Sequence, residues 1–148
     1  MKKWLSAFTI SASLLLGGCS FFEDANNTLT YVNEATDYVN EAKTFANDVP
    51  SLAEQAVTDS QAATELETRL EEMKADIEAF NKLEAPEVAA DLHGQMVEQN
   101  NRALEGINLY LDHIEGGKLD PGVVENTELF KSIQEITSIT EQIKQLGS

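Results

Sequence analysis

The feature that most constrains the fold is a seven-residue repeat over residues 30–50, with the three units TYVNEAT, DYVNEAK and TFANDVP. A period of seven residues is typical of a packed α-helix, because about 3.6 residues per turn bring every seventh residue back to nearly the same face. The repeat therefore predicts a helix with one apolar seam. The seam residues recur in steps of three and four: Val32, Ala35, Val39, Ala42, Ala46 and Val49.

Two other series follow the same period. Tyr31, Tyr38 and Phe45 flank the seam. An aromatic ladder can stack on a ligand, but at helical spacing we expect it to form the edge of the core. The asparagines fall on the side away from the seam, at Asn33, Asn40 and Asn47.

A proline and a capping motif predict where the first helix ends and the second begins. Pro50 disfavours the α conformation in the residue before it, so we expect the first helix to end there. Residues 51–54 (SLAE) are typical of a capping box that opens a second helix. Asp59 interrupts its apolar stripe and marks a kink or a new N-cap. The stripe residues are Leu52, Ala56, Ala63, Leu66, Leu70, Met73, Ile77 and Phe80.

Two more helices follow in the sequence. Pro86 suits the first turn of a third helix, which has a wide apolar face that includes Gly94 and Gly106, two residues that permit close helix approach. Gly116 and Gly117 indicate its end. No β element is expected. A last helix is predicted from about Val123, and its inward residues would be Leu129, Ile133, Ile136, Ile139, Ile143 and Leu146.

The predicted fold class is all-α. Short proline and glycine turns between helices imply antiparallel neighbours, so we expect an elongated, antiparallel, up-down bundle of about four helices. It would follow an N-terminal signal peptide, with domain bounds of 1–18 for the signal, 19–26 for a lipidated cysteine and short tether, and 27–148 for the bundle.

The N-terminus carries an export signal. Lys2 and Lys3 precede an uncharged run over residues 4–16, which is too short to span a membrane but is typical of a signal peptide. Leu16, Gly17, Gly18 and the single cysteine, Cys19, then resemble the lipobox of bacterial lipoproteins. The resemblance implies lipid attachment to Cys19 and cleavage before it. The alternatives are an ordinary secretory signal and an uncleaved anchor.

Taken together, several motifs resemble those of small uncharacterised lipoproteins of bacilli. The resemblance implies a Gram-positive membrane anchor and an extracytoplasmic helical domain, with no activity to transfer. In a Gram-negative host, Ser20 would favour the outer membrane. The motifs are the lipobox, the asparagine-rich first helix, Ala85-Pro86-Glu87, Asp91-Leu92-His93 and Asn100-Asn101.

Charge and composition exclude several functions. The formal net charge of −16 and the lack of a basic cluster argue against nucleic-acid binding. No zinc spacing, nucleophile elbow or phosphate loop occurs, and the two histidines lack the Glu-x-x-His pattern of di-iron bundles. We therefore expect no catalytic residue, metal or cofactor, and no enzymatic activity.

Three polar residues of the third helix are candidate contacts for a partner or ligand: Asn100, Tyr110 and His93. Asn100 lies between apolar residues, where it either fixes helix register or contacts a ligand. If it only fixes register, Asn100→Leu should retain or raise stability. His93 lies at the edge of the apolar stripe, where a hydrogen-bonded boundary histidine is expected.

The sequence thus predicts a non-enzymatic helical interaction or accessory module. It would be anchored to the cell membrane by lipid on Cys19, on the extracytoplasmic side, and its partner would be another envelope protein. The alternative is a lipoprotein that binds a small ligand or cation, either in a polar pocket around Asn100 and Tyr110 or on the acidic surface.

Overall fold

A computed structural model describes the backbone of residues 18–147 and the side chains of residues 26–147. Four long helices dominate this part of the chain, which confirms the predicted all-α bundle. In chain order the elements are α1 Gly18–Ala56, α2 Ser60–Phe80, a 3-10 turn Glu87–Ala89, α3 Ala90–Asp112, β1 Ile114–Glu115, β2 Lys118–Leu119, α4 Pro121–Val124 and α5 Glu128–Leu146.

The long helices form an antiparallel up-down bundle. α1 packs against α2 and α5, and α3 packs against the same two helices from the opposite side. α1 and α3 therefore lie on one diagonal and run in the same direction. The core lies along this diagonal, as expected when four amphipathic helices bury their apolar faces together.

The prediction that Pro50 ends the first helix is wrong, because α1 continues through it to Ala56. A proline inside a helix removes one hydrogen bond and costs roughly 3 kcal/mol. Here the buried residues Val49, Ala53 and Ala56 lie on both sides of the exposed proline. Their packing against the bundle outweighs the local preference. Pro50 faces outward, where its ring meets solvent.

The predicted capping box is wrong for the same reason, since residues 51–54 lie inside α1. The second helix begins at Ser60 instead. Asp59 is its N-cap, and one carboxylate oxygen accepts a hydrogen bond of 2.8 Å from the backbone N–H of Gln61. Of the two roles expected for Asp59, the new N-cap is therefore confirmed.

The expectation of no β element is also wrong. α3 ends at Asp112, and the chain then forms a small antiparallel ribbon in which Ile114 pairs with Leu119. Gly116 and Gly117 form its turn, with φ values of 60° and 76°. Two consecutive positive φ angles match the right-handed twist of a tight hairpin. The two glycines therefore turn a hairpin rather than cap the helix.

The aromatic ladder of α1 lies deeper than predicted. Tyr31, Tyr38 and Phe45 are buried, whereas Val32 and Ala46 of the predicted seam are only half-buried. A helix that packs between two neighbours has a core face wider than one narrow stripe, because its contact surface spans both. The rings therefore belong to the core itself rather than to its edge.

α5 begins later than expected, at Glu128. Five of its predicted inward residues are buried, namely Leu129, Ile133, Ile136, Ile139 and Ile143. The prediction that Leu146 points inward is wrong, since this residue is 37% exposed in the last turn.

Gly106 determines how closely α3 approaches α5. A Cβ atom at this position would lie 2.8 Å from Cβ of Leu129, which is closer than non-bonded carbons can pack. The predicted role in close helix approach is therefore confirmed for Gly106. It is wrong for Gly94, where an added Cβ would meet no atom within 4 Å.

Leu70 provides a test of the helical phase of α2. It is fully buried, and Glu71 beside it is exposed. We expect Leu70→Ala to lower the free energy of unfolding by about 2–5 kcal/mol, because the change leaves a cavity. The matched control, Glu71→Ala, should lower it by less than about 0.5 kcal/mol. Denaturant titration of both variants measures the difference, and equal shifts would contradict the assigned core face.

Candidate functional site

The polar centre of the bundle is built from two seven-residue series that face each other across the diagonal. The hydroxyl oxygen of Tyr31 lies 2.9 Å from Nδ1 of His93, and the hydroxyl of Tyr38 donates to Oδ1 of Asn100 at 2.6 Å. Both pairs are separated by 62 residues. Because α1 and α3 run in the same direction, a period of seven in one helix stays in step with a period of seven in the other.

Asn100 is fully buried, and both ends of its amide are occupied by protein. Its Oδ1 accepts from Tyr38, and its Nδ2 donates to Oδ1 of Asn81 at 2.7 Å. Asn81 is the C-cap residue of α2. The amide thus connects three helices, which is the geometry expected of a buried polar residue that fixes register.

Phe80 packs over this network. Its ring stacks on Tyr38 with centroids 4.5 Å apart and an interplanar angle of 22°. It also lies 5.2 Å from the imidazole of His93 and 6.3 Å from the ring of Tyr31. Aromatic contacts of this kind exclude water from the hydrogen bonds beneath them.

Burial in this cluster shifts three pKa values. Desolvation raises the pKa of Tyr31 to about 12 and raises the pKa of Tyr38 further, so both phenols stay protonated at neutral pH. The same cause lowers the pKa of His93 from 6.5. When neutral His93 has its proton on Nε2, its Nδ1 accepts a hydrogen bond from the Tyr31 hydroxyl.

Tyr110 belongs to a different part of the core. It is buried, its hydroxyl lies 3.5 Å from the carbonyl oxygen of Asn126, and desolvation raises its pKa. It lies ten residues after Asn100 on α3, which is about 15 Å along the helix axis. The two residues are therefore too far apart to line one small pocket.

A surface cavity of about 420 Å³ opens beside the cluster, between α1 and the segment that precedes α3. Tyr31 forms part of its wall, and Glu34, Glu84 and Glu87 give it an acidic lining. Within residues 26–147, no group of three or more His, Cys, Asp or Glu side chains is placed to hold a metal ion.

The outer side of α1 carries four asparagines with a period of seven residues. Asn26, Asn33, Asn40 and Asn47 are all exposed, on the side opposite the buried aromatic series. These four residues form the asparagine face of α1.

The predicted lipobox, residues 16–19, lies mostly outside the described residues. Leu16 and Gly17 precede the described part of the chain, and of Gly18 and Cys19 only the backbone is described, as the first residues of α1. The segment 19–26, predicted to be a short tether, is thus helical. Among the helices of residues 18–147, none has a stretch long and apolar enough to cross a membrane.

Two partners of the polar cluster were not predicted from the sequence. Asn81 follows the last buried residue of α2 and gives no signal beyond its position at a helix end. Tyr38 was expected only at the edge of the core. Yet Tyr38 follows Tyr31 by seven residues, just as Asn100 follows His93 by seven residues. The equal seven-residue intervals, 31 to 38 and 93 to 100, were the available signal.

The fold and the similarity to a relative over the whole chain define a class of protein, a small helical bundle of the lipoprotein type. An uncharacterized lipoprotein, YybP of Bacillus subtilis strain 168, is 35% identical to this chain over 147 residues, which covers 99% of both proteins. Residues 31–146 match the model of the family of unknown function DUF6376. The chain belongs to this family. No solved structure matches it.

The bonded amide of Asn100 changes the expectation for its substitution. Asn100→Leu should lower the free energy of unfolding by about 1–3 kcal/mol, because it leaves the buried Tyr38 hydroxyl without a partner. Adding Tyr38→Phe removes that hydroxyl and should recover part of the loss. Thermal and denaturant unfolding of both single variants and the double variant measure the coupling. Strict additivity of the two changes would contradict the hydrogen bond.

The lowered pKa of His93 predicts a pH-dependent stability. An unfolded chain takes up a proton at this histidine near pH 6.5, whereas the folded chain does so only at lower pH. The stabilising contribution is therefore complete above pH 6.5 and decreases as the pH falls toward the folded-state pKa. Unfolding curves between pH 7.5 and 5 for the native protein and His93→Gln measure it. Parallel pH profiles would contradict the assignment.

Proposed function

We propose that the chain is a non-enzymatic, membrane-anchored module of the cell envelope. Lipid on Cys19 attaches it to the extracytoplasmic side of the cell membrane, and the asparagine face of α1 meets a protein partner. The role is that of an accessory or scaffold subunit whose bundle gives a fixed shape to the contact surface.

One observation carries this proposal: α1 runs without a break from Gly18 to Ala56. The same helix includes Cys19, the asparagine face and the aromatic residues buried in the core. A surface on such a helix is presented at a fixed height above the anchor, since a helix rises about 1.5 Å per residue. That arrangement suits a protein that positions a partner near a membrane.

The similarity to a lipoprotein over the whole chain supports the anchor. The related protein from Bacillus subtilis carries the word lipoprotein in its name, and its alignment covers 99% of this chain. Two or more acyl chains give stable membrane attachment, because each buried methylene contributes about 0.8 kcal/mol.

The hydrogen bonding inside the bundle favours a surface contact over a buried ligand site. Asn100 and His93, two of the candidate contact residues, already bond to Asn81, Tyr38 and Tyr31. A ligand that used these groups would have to displace intact hydrogen bonds that are buried or half-buried. The asparagine face lies open on the surface and needs no such rearrangement.

A second candidate function, binding of a small ligand or cation, is favoured by the acidic cavity beside Tyr31. Melting curves with and without millimolar Ca²⁺ or Mg²⁺, or with cell-wall fragments, test it, because a ligand of the native state raises the midpoint. Glu84→Gln with Glu87→Gln is the matched variant, and it should abolish any such rise. An interaction module without this site would show no shift.

The anchor is tested at Cys19. We expect Cys19→Ala to abolish incorporation of labelled fatty acid and to leave the product unprocessed or soluble, since no other residue supplies a thiol. Ser20→Ala is the matched control and should retain the label. Metabolic labelling and membrane fractionation give the result, and equal lipid incorporation in Cys19→Ala would overturn the anchor. In-cell crosslinking of the lipidated protein would then identify its partner.

A further inference from the structure

The exposed apolar side chains of the bundle lie at one of its ends. Among residues 26–147, the large apolar side chains that are exposed are Leu29, Val88 and Leu146, with exposed fractions of 49%, 64% and 37%. Leu29 lies near the start of α1, Val88 in the 3-10 turn before α3, and Leu146 at the end of α5. Because α1 and α3 run in one direction and α5 in the other, these three positions share one end.

Contacts between the three segments bring these side chains close together. Gly147, next to Leu146, lies against Val32, since a Cβ atom added at this glycine would lie 3.3 Å from both methyl carbons of the valine. Leu29 lies one helical turn before Val32, on nearly the same side of α1. The turn that carries Val88 packs against α5. The three exposed residues, Leu29, Val88 and Leu146, thus form the apolar end of the bundle.

The apolar end is also the end from which α1 continues back to Cys19. α1 is helical from Gly18 onward, so Leu29 lies ten residues, or about 15 Å along the axis, from the proposed site of lipid attachment. The opposite end carries the β1–β2 hairpin and, within residues 26–147, exposes no large apolar side chain. Exposed apolar side chains that gather in one place mark a contact surface, and the proposed anchor places a bilayer beside this one.

The charges near the apolar end argue against an electrostatic contact with anionic lipid. Residues 25–33, at the start of α1, carry no charge. Acidic residues line the cavity that adjoins Val88: Glu34, Glu84 and Glu87. The two lysines of the flanking segments are Lys82 and Lys144, and Lys144 already pairs with a glutamate of its own helix. Attraction to anionic headgroups needs a cluster of basic residues, so a membrane contact here rests on apolar groups.

From these observations we propose that the apolar end rests on the lipid bilayer, with its three exposed side chains among the headgroups and the bundle leaning toward α5. An upright α1 would hold Leu29 about 15 Å above Cys19, beyond a headgroup layer of about 5–8 Å. A lean toward α5 lowers the apolar end to that layer. The inference rests on the proposed function, because three aliphatic side chains bind a membrane only weakly and need the lipid on Cys19 to hold them there.

Alkylation of a single cysteine tests the contact. Val88→Cys is made in the full chain, where lipid occupies the thiol of Cys19, and the purified lipidated protein is added to preformed phosphatidylcholine vesicles. A charged, membrane-impermeant maleimide then measures how freely water reaches position 88. We expect alkylation to be at least about fivefold slower than for Glu115→Cys, because apolar side chains at the headgroup level are shielded from water. Glu115 is exposed on the hairpin at the opposite end.

A second pair of changes tests whether the apolar end itself provides the protection. Leu29→Gln with Leu146→Gln should raise the alkylation rate of Val88→Cys several-fold, because the amides remove the apolar contact, and should leave the rate of Glu115→Cys unchanged. The matched control, Leu29→Met with Leu146→Met, keeps both positions apolar and should retain the protection. Comparing rates at one cysteine cancels differences in intrinsic thiol reactivity. Melting curves confirm that these surface variants fold.

Three results would overturn the bilayer contact. They are alkylation as fast at position 88 as at position 115, a rate at position 88 that the two glutamines leave unchanged, and a protection that disappears at low protein-to-lipid ratio. The last result would identify a second copy of the chain as the cover. Failure of the anchor is recognised separately, because Cys19 then takes up no lipid label and the protein does not sediment with the vesicles, which overturns both proposals. A labelled protein with position 88 freely accessible contradicts only the contact.

Discussion

The packing of the α1 aromatic series into the bundle is the interaction on which the other features depend. Tyr31, Tyr38 and Phe45 are buried in the core, and Phe80 of α2 stacks on the middle ring. The two tyrosine hydroxyls then reach α3, where they meet His93 and Asn100. A shift of α1 by one residue would turn the rings by about 100° and break both hydrogen bonds at once. Apolar packing and polar pairing thus specify the same register, a consistency that favours one folded state.

Most of the fold follows from local sequence patterns, and the exceptions show where tertiary packing prevails. The stripe through Leu66, Leu70 and Met73 predicted the buried face of α2 correctly, because step-three and step-four spacing depends only on helix geometry. Pro50 predicted a helix end that does not occur. The rule that proline disfavours a helical conformation in the residue before it considers only those two residues. It does not account for the burial of Val49 and Ala53 on either side of the proline. The proline lies on the outer surface, where its missing N–H costs least.

The sequence predicted which residues of α3 belong to the candidate site, but it did not predict their hydrogen-bond partners. The position of Asn100 among apolar residues predicted a buried amide, and it is fully buried. Its amide oxygen accepts a hydrogen bond from Tyr38, and its amide nitrogen donates one to Asn81. Both partners depend on which helices lie diagonally and which lie side by side in the bundle. No spacing within a single helix contains that information. The expected tolerance of Asn100→Leu took no account of the Tyr38 hydroxyl, which that change would leave without its partner.

Because α1 is continuous, the number of residues in its first turns sets the rotation of the bundle about the helix axis. A flexible tether absorbs an inserted residue without effect on the domain beyond it. In a continuous helix, one residue added between Cys19 and Asn26 would rotate the whole bundle by about 100° about the axis of α1 and lift it by about 1.5 Å. With the proposed lipid on Cys19, the length of this short segment determines which side of the bundle faces along the membrane surface. Substitutions that preserve the helix leave this orientation unchanged, whereas an insertion or a deletion alters it.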